Sequence, residues 1–85
     1  MPKYYYMSPA RKEPDTRTYN GRFAARLRVL REKAGLTIED VVESTGIPAQ
    51  TLYNWENGRR TPPYVTLPIL AETFGVKVRT LLPEE

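Results

Sequence analysis

The sequence contains no cysteine and no histidine. The first absence excludes a disulfide framework and any thiolate site. The second removes the commonest general base together with the commonest metal ligand. The carboxylates are scattered, and no two are set in a catalytic frame. No catalytic group, metal or cofactor is therefore expected, and the chain reads as a non-enzyme. No apolar run approaches the ~20 residues needed to cross a bilayer. The stretch Met1-Pro2-Lys3-Tyr4-Tyr5-Tyr6 lacks the apolar segment of a signal peptide. A soluble, cytoplasmic chain without a membrane partner is expected. Strand-like alternation, glycine-rich phosphate loops, internal repeats and low-complexity runs are all missing as well.

What is present is short, basic and unevenly charged. Eighty-five residues make one domain, or a domain of roughly 60 residues with a tail. A core this small often gains from a partner subunit. The net charge of +3 hides an asymmetry. Residues 1–35 carry nine Lys or Arg against three acids, a net of +6; residues 36–85 carry four against seven, a net of −3. Basic charge gathered in one half points to an anionic partner, nucleic acid ahead of membrane, or else to a merely solvated surface.

Residues 1–20 hold Pro2, Pro9, Pro14 and three consecutive tyrosines without helical periodicity. They read as a flexible N-terminal arm preceding a domain over residues 21–85. Lys3, Arg11, Lys12 and Arg17 suit an arm that follows a phosphate backbone. The same stretch also suits a plain tail, one that folds back through Tyr4, Tyr5 and Tyr6, or a protein-binding segment. Residues 20–34 predict a first helix capped by Asn20, with Phe23, Leu27, Leu30 and Ala34 as its apolar stripe and Gly35 as its stop. Thr37 opens a second helix, and Asp40 three residues on completes a capping-box pattern; Ile38, Val41, Val42 and Thr45 make its inner face.

The third helix, at about 48–57, is the most informative stretch. Gly46 supplies the turn before it, Pro48 fits its first turn, and Gly58 its end. Ile47, Leu52 and Trp55 face inward. Gln50, Tyr53, Asn54 and Asn57 recur at i, i+3, i+4 and i+7 on the opposite face. That face carries amides and a hydroxyl where an idle surface helix would carry Lys and Glu. Two short helices joined by a short turn containing Gly form a helix-turn-helix pattern. Residues 58–65 then predict a loop, Thr66 the cap of a fourth helix with Leu67, Leu70, Ala71 and Phe74 inward, and Val76 to Leu82 a short fifth helix ending at Pro83. The expected fold is all-α, five short helices.

In order along the chain, Arg26-Leu27-Arg28, Leu30-Arg31, Gly35-Leu36-Thr37, Gly46-Ile47, Thr51-Leu52, Trp55-Glu56-Asn57-Gly58, Pro62, Leu70-Ala71, Gly75-Val76 and Leu81-Leu82 resemble the Cro and phage-repressor helix-turn-helix family, also called the xenobiotic-response-element family. The resemblance implies a lambda-repressor-like domain whose third helix enters the major groove of double-stranded DNA, making the chain a sequence-specific transcriptional regulator that acts by operator occupancy. It places Ala49, Gln50 and Asn54 against base edges, and Thr37, Asn57, Arg59 and Arg60 against phosphates; Tyr53, on the same face, is a fourth candidate reader that could stack, contact a thymine methyl or bond a phosphate. Gln and Asn suit this because each can bond adenine's N7 and amino group together. It makes Arg31 and Glu56 a structural ion pair and leaves Trp55 in the core. Ile38 stands where many relatives carry a Gln that contacts the DNA backbone, so one anchoring contact is expected to be missing, with the arm or Arg22 and Arg26 as compensation. Arg22 and Arg26 are equally consistent with plain surface charge.

Val76, Val78, Leu81 and Leu82 are the candidate dimer surface, with closure of the monomer's own core as the alternative. A two-fold homodimer would require a pseudo-palindromic site. With the sequence ending at Glu85, the expectation is a small regulator of the Cro, antitoxin or restriction-controller type, or an excised DNA-binding domain. The rival function is an antitoxin or adaptor module that uses this fold to hold a protein partner.

Overall fold

The computed structural model describes residues 13–83, and every segment of regular structure among them is helical. There are four α-helices, α1 (Tyr19–Lys33), α2 (Ile38–Thr45), α3 (Ala49–Glu56) and α4 (Leu67–Phe74), with two 3-10 turns, Tyr64–Thr66 running into α4 and Val78–Leu81 following it. No helix among the described residues is long and apolar enough to cross a membrane. The expected arm lies outside the described residues up to Lys12 and is described only from Glu13 onward.

Three local expectations are corrected. The cap of α1 is Thr18, not Asn20: its backbone is extended and its Oγ1 accepts from Gly21 N–H at 3.0 Å. The stripe of α1 ends at Leu30, because Ala34 lies past the last helical residue and is exposed. Thr66 does not cap α4. Its backbone is already helical, and its hydroxyl donates to Pro63 O at 2.6 Å, so the 3-10 turn runs straight into α4 with Pro68 in the first turn.

The expected fifth helix is a 3-10 turn, held by Thr80 N–H to Lys77 O at 2.9 Å and Leu82 N–H to Arg79 O at 3.2 Å. Its length explains this. Gly75 ends α4, and the residue before Pro83 is driven out of the helical region, with Leu82 at φ −92°, ψ 135°. The few residues between cannot build an α-helix's i→i+4 ladder.

One core joins the four helices and the last turn. Phe23, Leu27 and Leu30 of α1 meet Ile38 and Val41 of α2, Leu52 and Trp55 of α3, Leu70, Ala71 and Phe74 of α4, and Leu81 of the last turn. Each large apolar side chain buried here contributes about 1.5–3 kcal/mol. Val42 and Thr45, expected inside, are half-buried. Leu81 has no exposed surface at all. Of the two readings open for it, a subunit contact or closure of the monomer's own core, this burial supports the second. Val78 (39% exposed), Leu82 (38%) and half-buried Val76 keep outward area.

Candidate nucleic-acid interface

The turn between α2 and α3 is set by local chemistry. Gly46 sits at φ +78°, a left-handed position that penalises any Cβ. Thr45 Oγ1 donates to Val41 O at 2.7 Å and accepts from Ile47 N–H at 3.1 Å, so its hydroxyl bridges the end of α2 to the turn. Pro48 then enters α3 without a side-chain cap, and the first backbone bond is Leu52 N–H to Pro48 O. The N–H groups of Ala49, Gln50 and Thr51 have no acceptor among the described residues, leaving a first turn of free donors.

Leu52 and Trp55 bury the inner side of α3. On the outer side Gln50 and Tyr53 are exposed and Asn54 is half-buried. Gln50 Nε2 donates to Asn54 Oδ1 at 3.2 Å, one helical turn away. The bond ties the two amides together and leaves Gln50 Oε1 and Asn54 Nδ2 outside it. Ala49 is half-buried against the core, so of the four expected readers it offers the least to a ligand.

The end of α3 shapes the loop that follows. Asn54 O accepts from Arg59 N–H at 3.0 Å and Arg60 N–H at 3.1 Å, and Asn57 Oδ1 accepts from Arg59 N–H at 2.9 Å. The carbonyl side of Asn57 is thus spent on the loop, and its Nδ2 remains as a donor. The guanidinium groups of Arg59 and Arg60 are exposed and have no bonded partner among the described residues.

The start of α2 is different. Thr37 Oγ1 accepts from Asp40 N–H at 3.0 Å, and Thr37 N–H donates to Asp40 Oδ2 at 2.9 Å. This capping box satisfies two donors that a phosphate would otherwise meet, and exposed Glu39 adds negative charge beside it. Ile38 is buried in the core and offers no bond. Of Thr37's own donors, only the hydroxyl hydrogen is left.

Behind the outer face, Arg31 and Glu56 join α1 to α3. Arg31 Nε meets Glu56 Oε2 at 2.7 Å, Nη2 meets Oε1 at 3.0 Å, and Nη1 donates to Leu36 O at 2.8 Å. Both side chains are below 10% exposed, at 8% and 6%. The hydrogen bonds that Arg31 donates to Glu56 hold the guanidinium pKa above its already high ordinary value, with burial opposing. The fork-to-fork geometry fixes the angle of α3 against α1.

Arg22 and Arg26 are engaged elsewhere. Arg22 Nη1 donates to Thr16 O, and its guanidinium lies 5.9 Å from the Tyr19 ring centroid. Arg26 Nε donates to Thr80 O. Both line an open groove with Ala25, Val29 and Pro83.

Sequence reasoning missed two features. Tyr64 (81% exposed), Val65 (62%) and Ile69 (46%) put large apolar groups on the surface; the signal was the apolar pair Tyr64-Val65 in a stretch expected to be loop. Residues 13–18 lie fixed against α1, and the signal was Gly21, a lone glycine inside a helical pattern.

A family profile described as a helix-turn-helix domain matches residues 22–84. The HTH-type transcriptional regulator DdrOP3 of Deinococcus deserti is 40% identical over 57 residues, covering 67% of this chain and 44% of that protein. An uncharacterised HTH-type transcriptional regulator, y4dJ, of Sinorhizobium fredii is 47% identical over 62 residues, covering 73% of this chain and 77% of its own length. The DNA-binding domain of BldD from S. venezulae superposes with a TM-score of 0.69 at 33% identity, covering 76% of this chain and 97% of that one. The chain belongs to the helix-turn-helix family, in its Cro and phage-repressor branch. It spans less than half the length of DdrOP3 and about three quarters of y4dJ.

Proposed function

We propose that the chain is a sequence-specific DNA-binding transcriptional regulator of the cytoplasm that acts by occupying an operator. The observation that carries this is the exposed Gln50–Asn54 amide pair on α3, followed within a few residues by two exposed arginines whose guanidinium groups have no partner among the described residues. With α3 in the major groove, Gln50 and Asn54 read adenine edges, and each good bidentate contact discriminates by ~1–3 kcal/mol. Tyr53 stacks, contacts a thymine methyl or bonds a phosphate. Arg59, Arg60, Asn57 Nδ2 and the Thr37 hydroxyl meet phosphates, which hold register without reading sequence. Two copies associate through the outward area of Val76, Val78 and Leu82, placing half-sites about 10 bp apart or a multiple of it.

The relatives' names support this reading, since two are transcriptional regulators and the third is a DNA-binding domain. The second reading, an adaptor that holds a protein partner, is favoured by one observation, the exposed Tyr64, Val65 and Ile69.

Selection of bound duplexes from a random pool tests the first reading. The expected product is a pseudo-palindrome whose adenine preference is lost in Gln50→Ala while non-specific binding persists. A selection that enriches no sequence, or an unchanged motif in the variant, overturns the assignment.

A further inference from the structure

Residues 13–18 form a strap across α1, pinned on either side of Pro14. On one side Glu13 meets Arg28 of α1 at 3.2 Å. On the other, Asp15 O accepts from Thr18 N–H at 3.1 Å and from Thr18 Oγ1 at 3.0 Å, and Thr16 O accepts from Arg22 Nη1 at 3.3 Å. The crossing leaves no slack. A Cβ placed on Gly21 would lie 1.7 Å from Asp15 O, so the strap passes over α1 only where glycine stands. Within the strap Pro14 alone is half-buried, and its neighbours are exposed. What Pro14 covers is Gly58. A Cβ on Gly58 would lie 3.6 Å from Pro14 Cβ and 3.9 Å from Ala24 Cβ, so the strap, α1 and the chain just past α3 meet at that point. Arg59 and Arg60 follow directly.

We propose that Pro14 is a positioning residue for DNA binding: seated on Gly58, it holds the following loop in the conformation in which Arg59 and Arg60 meet phosphates. This rests on the DNA-binding reading above. The loop needs a second support. Gly58 has no side chain to anchor it and sits at φ +84°, where its freedom is greatest. The bonds that fix the backbone of Arg59 and Arg60 run to Asn54 O and Asn57 Oδ1, so all lead back to α3 and its cap. The next buried side chain is Pro62, beyond both arginines. Pro14 supports the loop from the α1 side, and its ring keeps the strap itself from rotating about φ. Proline has neither an N–H nor a side-chain donor, so Pro14 cannot bond a phosphate. Its effect on binding runs through the arginines it positions.

The test is a mutant cycle on the full chain with its selected duplex: Pro14→Gly, Arg59→Ala with Arg60→Ala, and all three together. Pro14→Gly is expected to weaken binding on the order of three- to tenfold, as for residues coupled through a shared backbone shift. It should also flatten the plot of log K against log salt, to which each phosphate contact contributes a slope of about −0.9. Base preference is expected to stay. In the background lacking both arginines, the same substitution is expected to change neither affinity nor slope. A merely structural loss would lower the folded fraction alike in both backgrounds, and melts of the same preparations measure it. Gly21→Ala displaces the strap without touching the loop and is expected to repeat the pattern, although alanine itself favours the helix. Equal losses in the two backgrounds, or wild-type binding in either Pro14→Gly or Gly21→Ala, overturns the proposal while the DNA reading stands. If the wild-type chain does not prefer the selected duplex over a scrambled one, the DNA reading falls and this proposal with it.

Discussion

Two polar pairs share α3 and do opposite work. Arg31–Glu56 is buried, spans two helices and has a third bond to Leu36 O. Gln50–Asn54 is solvent-facing, lies within one helix and has a single bond of 3.2 Å. Burial decides the difference. A charge enclosed by the core must keep its partner, so Glu56 is committed to positioning α3. An exposed amide exchanges its bond with water at little cost, so Gln50 and Asn54 are free to exchange it with a ligand. The inner side of the helix fixes an angle and the outer side spends that precision on recognition.

The largest expected effect breaks the buried pair. Glu56→Ala strands the Arg31 guanidinium and is expected to cost about 3–5 kcal/mol. In a domain this small, where 1 kcal/mol shifts Tm by ~4–8 °C, that is a fall of more than ~10 °C. Arg31→Lys keeps the charge but loses the fork and is expected to fall between. A double-mutant cycle of Arg31→Ala and Glu56→Ala read by thermal melts should show strong coupling; additive losses would mean the pair does not set the helix angle.

The exposed pair should respond in the other measurement. Asn54→Ala is expected to change stability by no more than ~0.5 kcal/mol, the usual range for a surface site. Its discrimination between the selected duplex and one altered at a single adenine step should drop by ~1–3 kcal/mol in competition binding. A melting shift as large as that of Glu56→Ala would erase the contrast between the two sides of α3.

Features held by residues close in sequence were legible. Thr37 with Asp40, Gly46 and Pro48 announce the boundaries of α2 and α3, because a cap or a turn depends on its own neighbours. The outward spacing of Gln50, Tyr53 and Asn54 follows from helical period alone. Features set by tertiary approach were not. Thr18 and Asn20 are both good caps, and the choice falls to Thr18, which also donates to Asp15 O as part of the strap over Gly21. Leu81 and Leu82 are the same residue type side by side, and only the packed structure shows which one the core encloses. The shortness of the last turn needed Gly75 and Pro83 to be weighed together.

The smallest expected effect compares the two ends of the reading unit. At α3 the first-turn N–H groups have no acceptor among the described residues, whereas at α2 the Asp40 carboxylate covers Thr37 N–H. A carboxylate at a helix N-terminus stabilises folding by ~0.3–1 kcal/mol, yet it repels a phosphate approaching the same donors. Asp40→Ala should therefore lower stability by about that amount while DNA affinity at low salt holds or rises. Melting and fluorescence-anisotropy titrations of the same preparation separate the two signs. A loss of affinity in parallel with stability would show that the start of α2 contributes to binding only through its capped shape, and the proposed asymmetry between the two ends would not stand.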